Sequence, residues 1–489
     1  MNSGRFHFKT LALTLIISGQ IGIAPADLYQ LPDFGSSVDT LLSAAEQREL
    51  DRAFMQSVRQ SLPISSDPIV GDYLQQLGQS LTTAGTIKHY DFFLIDQRVI
   101  NAFAGPGGHI GVFAGLILAA ETEDELAAVL AHEIAHVEQK HLLRAFESQQ
   151  QNAIPMTALL IAAVVLGAQV DANMGAAAMT GIQAAALQKQ INFTRDHEKE
   201  ADRLGITILA QAGYDPYAMP GFFERLTKAN QFYENGAPEL LRTHPVTTNR
   251  IADALARAEH FGHHQRSENV SFHLIKARLR QQRYARAQEA VEHFNQTLTT
   301  GRYRNATAEH YGYALALTRD GQFAAARREV AKLLADNPNQ VELIVLNAEL
   351  DRHTGSLTKA LRDLKTAVAN APRSWALADA YAAMQMAANQ PAAALITLER
   401  FNRLRPDITA VYGLMADAAG RAGKRLQTYR YRAEQLYHQG DIKLAVNQLE
   451  LALKQPTITP YLAERLQARL KELKELADEQ RQQQSPRRR

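Results

Sequence analysis

His132-Glu133-Ile134-Ala135-His136 places two imidazoles and a carboxylate within five residues. On an α-helix, positions i and i+4 stand one above the other, so both imidazoles can turn a nitrogen toward a single ion. Glu133, beside the first of them, reaches a water on that ion without binding the ion itself. The flanking residues predict the helix that this arrangement needs. Thr122 to Glu125 has the S/T-x-x-E form of a capping box, and Leu126, Leu130 and Ile134 follow at helical spacing. Two histidines and a glutamate also meet in helices by chance, but the capped, patterned setting favours the metal reading.

The chain has 489 residues, 46% hydrophobic and 21% charged, which is ordinary globular material. Its length suits roughly two to four domains. A net charge of +2 gives no chain-wide attraction for nucleic acid. There is no cysteine, so disulfides and thiolate-bound metals are excluded and histidines and carboxylates must hold any zinc. Residues 1–26 have the form of a secretory signal. Arg5 and Lys9 start it, Leu11–Ile17 form an apolar core too short to span a bilayer, and Ala24-Pro25-Ala26 offers a cleavage site. Export and cleavage near Ala26 are expected; an uncleaved anchor is the alternative.

From Asp39 to Gly262 the pattern is that of an α-rich domain with a little sheet. Helices are predicted over Thr40–Ser61 and Pro68–Thr83, and strands over Phe92–Asp96 and Ile110–Phe113. The stretch Asn101 to Gly108 between the strands, with Gly105-Pro106-Gly107-Gly108, reads as turns. Ala153–Leu187 is apolar and alanine-rich, expected as a helical pair over the site, with peripheral membrane or client contact as the alternative. Beyond Glu268 the grammar becomes a repeat. Pro338, Pro372 and Pro406 are 34 residues apart, as are Gly321, Gly355, Asn389 and Gly423, and Ala326, Ala360 and Ala394. A 34-residue helix–turn–helix unit with a small turn residue, an inner Ala and a closing Pro is the tetratricopeptide pattern. The expected domains are thus 39–262 and a solenoid over 268–478, with 479–489 a disordered basic tail.

Two histidines leave a catalytic zinc one protein ligand short. A third His six residues after His136 fails, because position 142 is Leu. The next acidic cluster is Asp196-His197-Glu198-Lys199-Glu200-Ala201-Asp202, where Glu198 and Asp202 share a helix face. Together with the H-E-x-x-H motif, Glu198-Lys199-Glu200-Ala201-Asp202 resembles the M48 family of zinc metallopeptidases, whose third-ligand motif is E-x-E-A-D. The resemblance extends over roughly Leu42 to Phe261, and the repeats are similar to those of its periplasmic subgroup in Gram-negative bacteria. It implies a mainly α chain: an α+β zincin-like metallopeptidase domain with a small sheet, then a tetratricopeptide solenoid. It also implies one Zn2+ bound by His132, His136 and Glu198, with Asp202 as a supporting acid behind them and Glu200 as the runner-up ligand. His244, in Thr243-His244-Pro245-Val246-Thr247-Thr248-Asn249-Arg250, matches a family feature in which a loop His takes the fourth position and holds the enzyme latent. An ordinary loop or capping histidine is the other reading of His244. Arg250 is expected to order that loop or to pair with Asp202. His141 and His197 lack ligand spacing and read as surface or supporting residues.

The implied chemistry is peptide hydrolysis, with Glu133 as general base toward a zinc-activated water. A substrate strand is expected to add to the sheet edge at Ile110–Phe113, which favours unfolded or misassembled proteins. The resemblance implies a role in outer-membrane β-barrel assembly and quality control, with the solenoid meeting the assembly machinery and with no nucleic-acid partner. The rival is a non-proteolytic chaperone or scaffold in which the repeats act and the metal is vestigial. An intact Glu133 argues against it, since a scaffold has no use for a base there.

Overall fold

The computed structural model describes residues 42–82, 89–147, 195–230 and 238–484. The expected signal at 1–26 and the apolar stretch 153–187 lie outside the described residues. The first part contains helices α1 (Ala44–Ser61) and α2 (Pro68–Leu81), then strands β1 (Asp91–Ile95), β2 (Ala102–Ala104) and β3 (His109–Phe113). Helices α3 (Ala114–Ala119), α4 (Glu123–Glu138), α5 (His141–Glu147), α6 (Arg195–Gln211), α7 (Ala218–Asn230), α8 (Glu239–Thr243) and α9 (Thr248–Phe261) follow.

The sheet order is β1-β3-β2, with β3 parallel to β1 and antiparallel to β2. This corrects two expectations. Asn101–Gly108 is not all turn: Ala102-Phe103-Ala104 is a strand, because Phe103 is buried and meets Phe54, Phe93 and Phe113 edge-on. The turn starts only at Gly105, and Gly107 (φ 72°) takes a left-handed conformation where a Cβ would also strike the Asp51 carboxylate. The second correction follows from the first. Strand β3, carrying Ile110–Phe113, is central and paired on both sides, so it has no edge to offer a substrate.

At the start of β3, His109 ties α1 to the sheet, with Nε2 2.8 Å from Asp51 and Nδ1 3.0 Å from Asp91. Burial opposes its charge, but the two carboxylates outweigh burial and push its pKa up to about 9. A folded-state pKa above the unfolded value of roughly 6.5 stabilises fully below that value, and the gain is lost as pH rises through about 9. His109→Gln should therefore cost on the order of 1–3 kcal/mol at pH 6.5 and progressively less toward pH 9.5. Urea unfolding of both proteins across that range checks it; parallel curves would contradict it.

The repeat region is a run of helix pairs: α10 and α11 (Val270–Gln282, Ala287–Thr300), α12 and α13 (Ala306–Arg319, Phe323–Asp336), and α14 and α15 (Val341–His353, Leu357–Asn370). They continue with α16 and α17 (Trp375–Ala387, Pro391–Leu404), α18 and α19 (Val411–Arg421, Arg425–His438), and α20 and α21 (Ile442–Leu453, Pro460–Gln484). The 34-residue series has a physical cause at each turn. Gly321, Gly355, Asn389 and Gly423 have φ of 77°, 78°, 56° and 71°, the left-handed conformation that lets the second helix double back. Ala326, Ala360 and Ala394 are fully buried, where a larger side chain would push paired helices apart. Helix α21 runs to Gln484, so 479–484, expected to be disordered, are helical; Glu, Gln and Arg are good helix formers there. Among the described residues no helix is long and apolar enough to cross a membrane.

The solenoid is seated on the first part of the chain. Phe272, Ile275 and Leu279 of α10 and Ala376 of α16 share one core with Leu74, Leu126 and Leu130. Buried Asp72 of α2 accepts from Ser374 Oγ and the Ala376 amide, both at 2.9 Å, at the N-terminus of α16. Arg278 of α10 pairs with Asp67 at 2.6 Å.

Candidate metal centre

Helix α4 starts where expected, with Thr122 Oγ1 accepting from the Glu125 amide at 3.2 Å. Glu125 returns the bond to the Glu121 amide rather than to that of Thr122, so the capping box is shifted by one residue. The helix is buried from Leu126 to His136, against α6 on one side and β2 on the other. Gly205 of α6 makes this close approach possible, since a Cβ there would lie 3.2 Å from the His132 backbone. That contact sets α6 at the distance where Glu198 reaches the two α4 imidazoles.

His132, His136, Glu198 and His244 converge, each offering one ligand atom within 4.8 Å of the others, and all four are buried. His132 Nε2 lies 3.0 Å from His136 Nε2 and 3.4 Å from His244 Nδ1. Glu198 Oε1 lies 3.0 Å from His244 Nδ1 and 3.4 Å from His136 Nε2, and its Oε2 is 3.5 Å from His132 Nε2. Bonds of about 2.0–2.1 Å to tetrahedral zinc place ligand atoms roughly 3.3 Å apart. The donor set therefore fits zinc in both chemistry and spacing. Glu133 stands beside the cluster with Oε1 3.5 Å from His244 Nε2, and the Ala104 backbone of β2 faces its carboxylate.

Behind these residues, Asp202 Oδ1 lies 3.1 Å from His132 Nδ1. Arg250 of α9 grips Asp202 through Nε at 2.7 Å and Nη2 at 2.8 Å. Its Nη1 reaches Glu198 Oε2 and the Pro245 carbonyl, each at 2.8 Å. Arg250 thus orders the His244 loop and pairs with Asp202 at once. Glu200 points away from the cluster, toward His141 at 3.2 Å and Arg144 at 3.0 Å. His141 is wholly buried, with Nδ1 2.8 Å from His136 Nδ1, and His197 stacks on its ring. Sequence reasoning missed Phe223 of α7, which meets the His132 ring edge-on and lies under the Arg250 guanidinium; one aromatic in a helix carries no signal of such a role.

Charge follows from this packing. Burial opposes protonation of His132, but Asp202 and Glu198 outweigh it and hold its pKa up at about 10. Burial and the neighbouring His132 hold His136 well below the usual range. Burial raises Glu133, whereas Glu198 is held well below the carboxylate range because His244 and His132 outweigh its burial. One cluster thus contains a carboxylate kept ionised beside one with a strengthened hold on a proton.

Residues 69–258 match the model of peptidase family M48. The beta-barrel assembly-enhancing protease of Escherichia coli (strain K12) is 33% identical over 479 residues, covering 96% of this chain and 97% of that protein. The same-named protein of Yersinia pestis is 31% identical over 477 residues, with the same coverage of each chain. Among solved structures, a tetratricopeptide repeat protein from Parabacteroides merdae aligns over 57% of this chain and 99% of its own, at 14% identity and a TM-score of 0.27. An M48 domain and likeness to such proteases over nearly the whole chain lead to one conclusion: this chain belongs to peptidase family M48.

Proposed function

We propose that this metalloendopeptidase uses zinc to cleave unfolded or misassembled proteins in the periplasm of a Gram-negative bacterium, within outer-membrane β-barrel assembly. His132, His136 and Glu198 would hold the metal, with His244 in the fourth place at rest. One observation carries the reading: four buried donors converge at tetrahedral spacing with the Glu133 carboxylate beside them. The name borne by the relatives from Escherichia coli and Yersinia pestis supports the outer-membrane setting.

When bound, zinc acidifies a water and polarises the scissile carbonyl. Glu133 takes the proton from that water and delivers it to the leaving amine. Its burial strengthens its hold on a proton and suits it to both steps. Asp202, whose Oδ1 lies 3.1 Å from Nδ1, favours the His132 tautomer with its proton there, so that Nε2 is left as the donor to metal. Arg250 keeps Asp202 and Glu198 in place. The substrate strand would add to β2, an edge strand whose Ala104 amide already faces Glu133. Such pairing reads backbone and favours extended chains. The solenoid, seated on the peptidase core, would choose partners, including the outer-membrane assembly machinery.

The scaffold alternative keeps one observation in its favour, that His244 converges with the other three donors, where it would take the fourth place on a metal. His244→Ala tests whether His244 holds the enzyme latent. If His244 keeps nine molecules in ten closed, its removal should raise cleavage of an unfolded substrate such as casein about ten-fold. Wild type and variant are compared at matched zinc content. Equal or lower activity in the variant would reject latency and assign His244 to transition-state stabilisation.

A further inference from the structure

We propose that His141 is the positioning residue for His136, fixed in turn by Glu200 and Arg144. The inference rests on the reading of His136 as a metal ligand. His136 turns Nε2 into the donor cluster, 3.0 Å from His132 Nε2, and Nδ1 away from it, 2.8 Å from His141 Nδ1. If Nε2 binds metal, the imidazole proton sits on Nδ1, so His136 donates and His141 Nδ1 accepts. That places the proton of neutral His141 on Nε2, which faces Glu200 Oε2 at 3.2 Å. Arg144 Nη1 holds the same oxygen at 3.0 Å, and His197 stacks on the His141 ring at 4.5 Å with planes 13° apart.

The backbone is bent to make this contact. Helix α4 ends at Glu138 and α5 begins at His141, with Lys140 between them at φ 52°, one of two non-glycine residues with positive φ among those described. A left-handed lysine is disfavoured. Here it folds the first residue of α5 back beneath the last turn of α4.

The two α4 ligands therefore have unlike supports, a carboxylate behind His132 and an imidazole behind His136. Glu133, Glu198 and Asp202 already crowd this buried volume, with Arg250 paired to the last two. A neutral acceptor behind His136 orients the ring without adding a fourth buried negative charge.

The test compares full-length wild type with His141→Leu, His141→Asn and His136→Ala. Zinc affinity is measured by chelator competition, with the visible spectrum of the cobalt-loaded protein and the thermal unfolding of the metal-free protein. Asn carries its amide oxygen near the position of His Nδ1, so it keeps the acceptor; Leu keeps bulk alone. His141→Leu should lose about 10–100-fold in zinc affinity and alter the cobalt spectrum, while His141→Asn stays within about three-fold of wild type. Wild-type affinity in His141→Leu would overturn the proposal. So would equal losses in both His141 variants that track lowered stability of the metal-free protein. Wild-type affinity in His136→Ala would instead show that the ligand reading beneath the proposal is at fault.

Discussion

Glu133→Gln should abolish peptide hydrolysis while leaving metal and fold in place. The side chain is buried, with Oε1 3.5 Å from His244 Nε2. Gln has the same shape, so packing is kept. What disappears is the lone pair that takes a proton from water and the acid that returns it to the amine. General acid–base groups contribute about 10²–10⁴-fold, and both roles fall on this residue, so cleavage should drop at least about 10³-fold. Metal content should equal that of wild type, since Glu133 is not among the four converging donors. Unchanged turnover of casein by the variant would refute the role given to Glu133.

Glu198→Ala carries the second large effect. Glu198 is the lone carboxylate among the converging donors and the one contributed by α6. Its loss should weaken metal binding by more than the roughly 10–100-fold typical of losing a supporting partner. Arg250 would keep Asp202 but lose the Nη1 contact to Glu198, adding about 1–3 kcal/mol of destabilisation. Glu200→Ala is the comparison: Glu200 faces His141 and Arg144 instead, so its loss should weaken metal binding far less than that of Glu198. Full metal in Glu198→Ala with loss in Glu200→Ala would reverse the assignment.

The parts of this architecture that were legible in the sequence are those set by local rules. The H-E-x-x-H helix shows because capping and i, i+4 geometry act within one turn. The solenoid shows because each repeat needs a left-handed residue at the same place, even where Asn389 replaces glycine. The acid-rich helix shows through its match to a family motif, which singled out Glu198 and Asp202, while a separate loop feature pointed to His244. Strand β2 was hidden because three residues give too short a pattern, and the glycines after it spoke louder than Phe103. With β2 unseen, β3 reads as an edge strand although it lies at the centre of the sheet. The burial of His141 was equally hidden: the Lys140 turn that produces it is a backbone conformation with no composition signal, since lysine does not favour positive φ. The joint between peptidase and solenoid, Asp72 to the start of α16, spans 302 residues in sequence from Asp72 to Ser374 and is a purely tertiary contact.

Metal removal tests the central claim most directly. The purified protein is assayed for zinc and for casein cleavage before dialysis against a chelator, after it, and after stoichiometric zinc is restored. His244→Ala is run in parallel to provide a strong signal. About one zinc per chain should be found, cleavage should vanish with it, and one equivalent should restore it. Cleavage that persists in folded, metal-free protein would contradict the account.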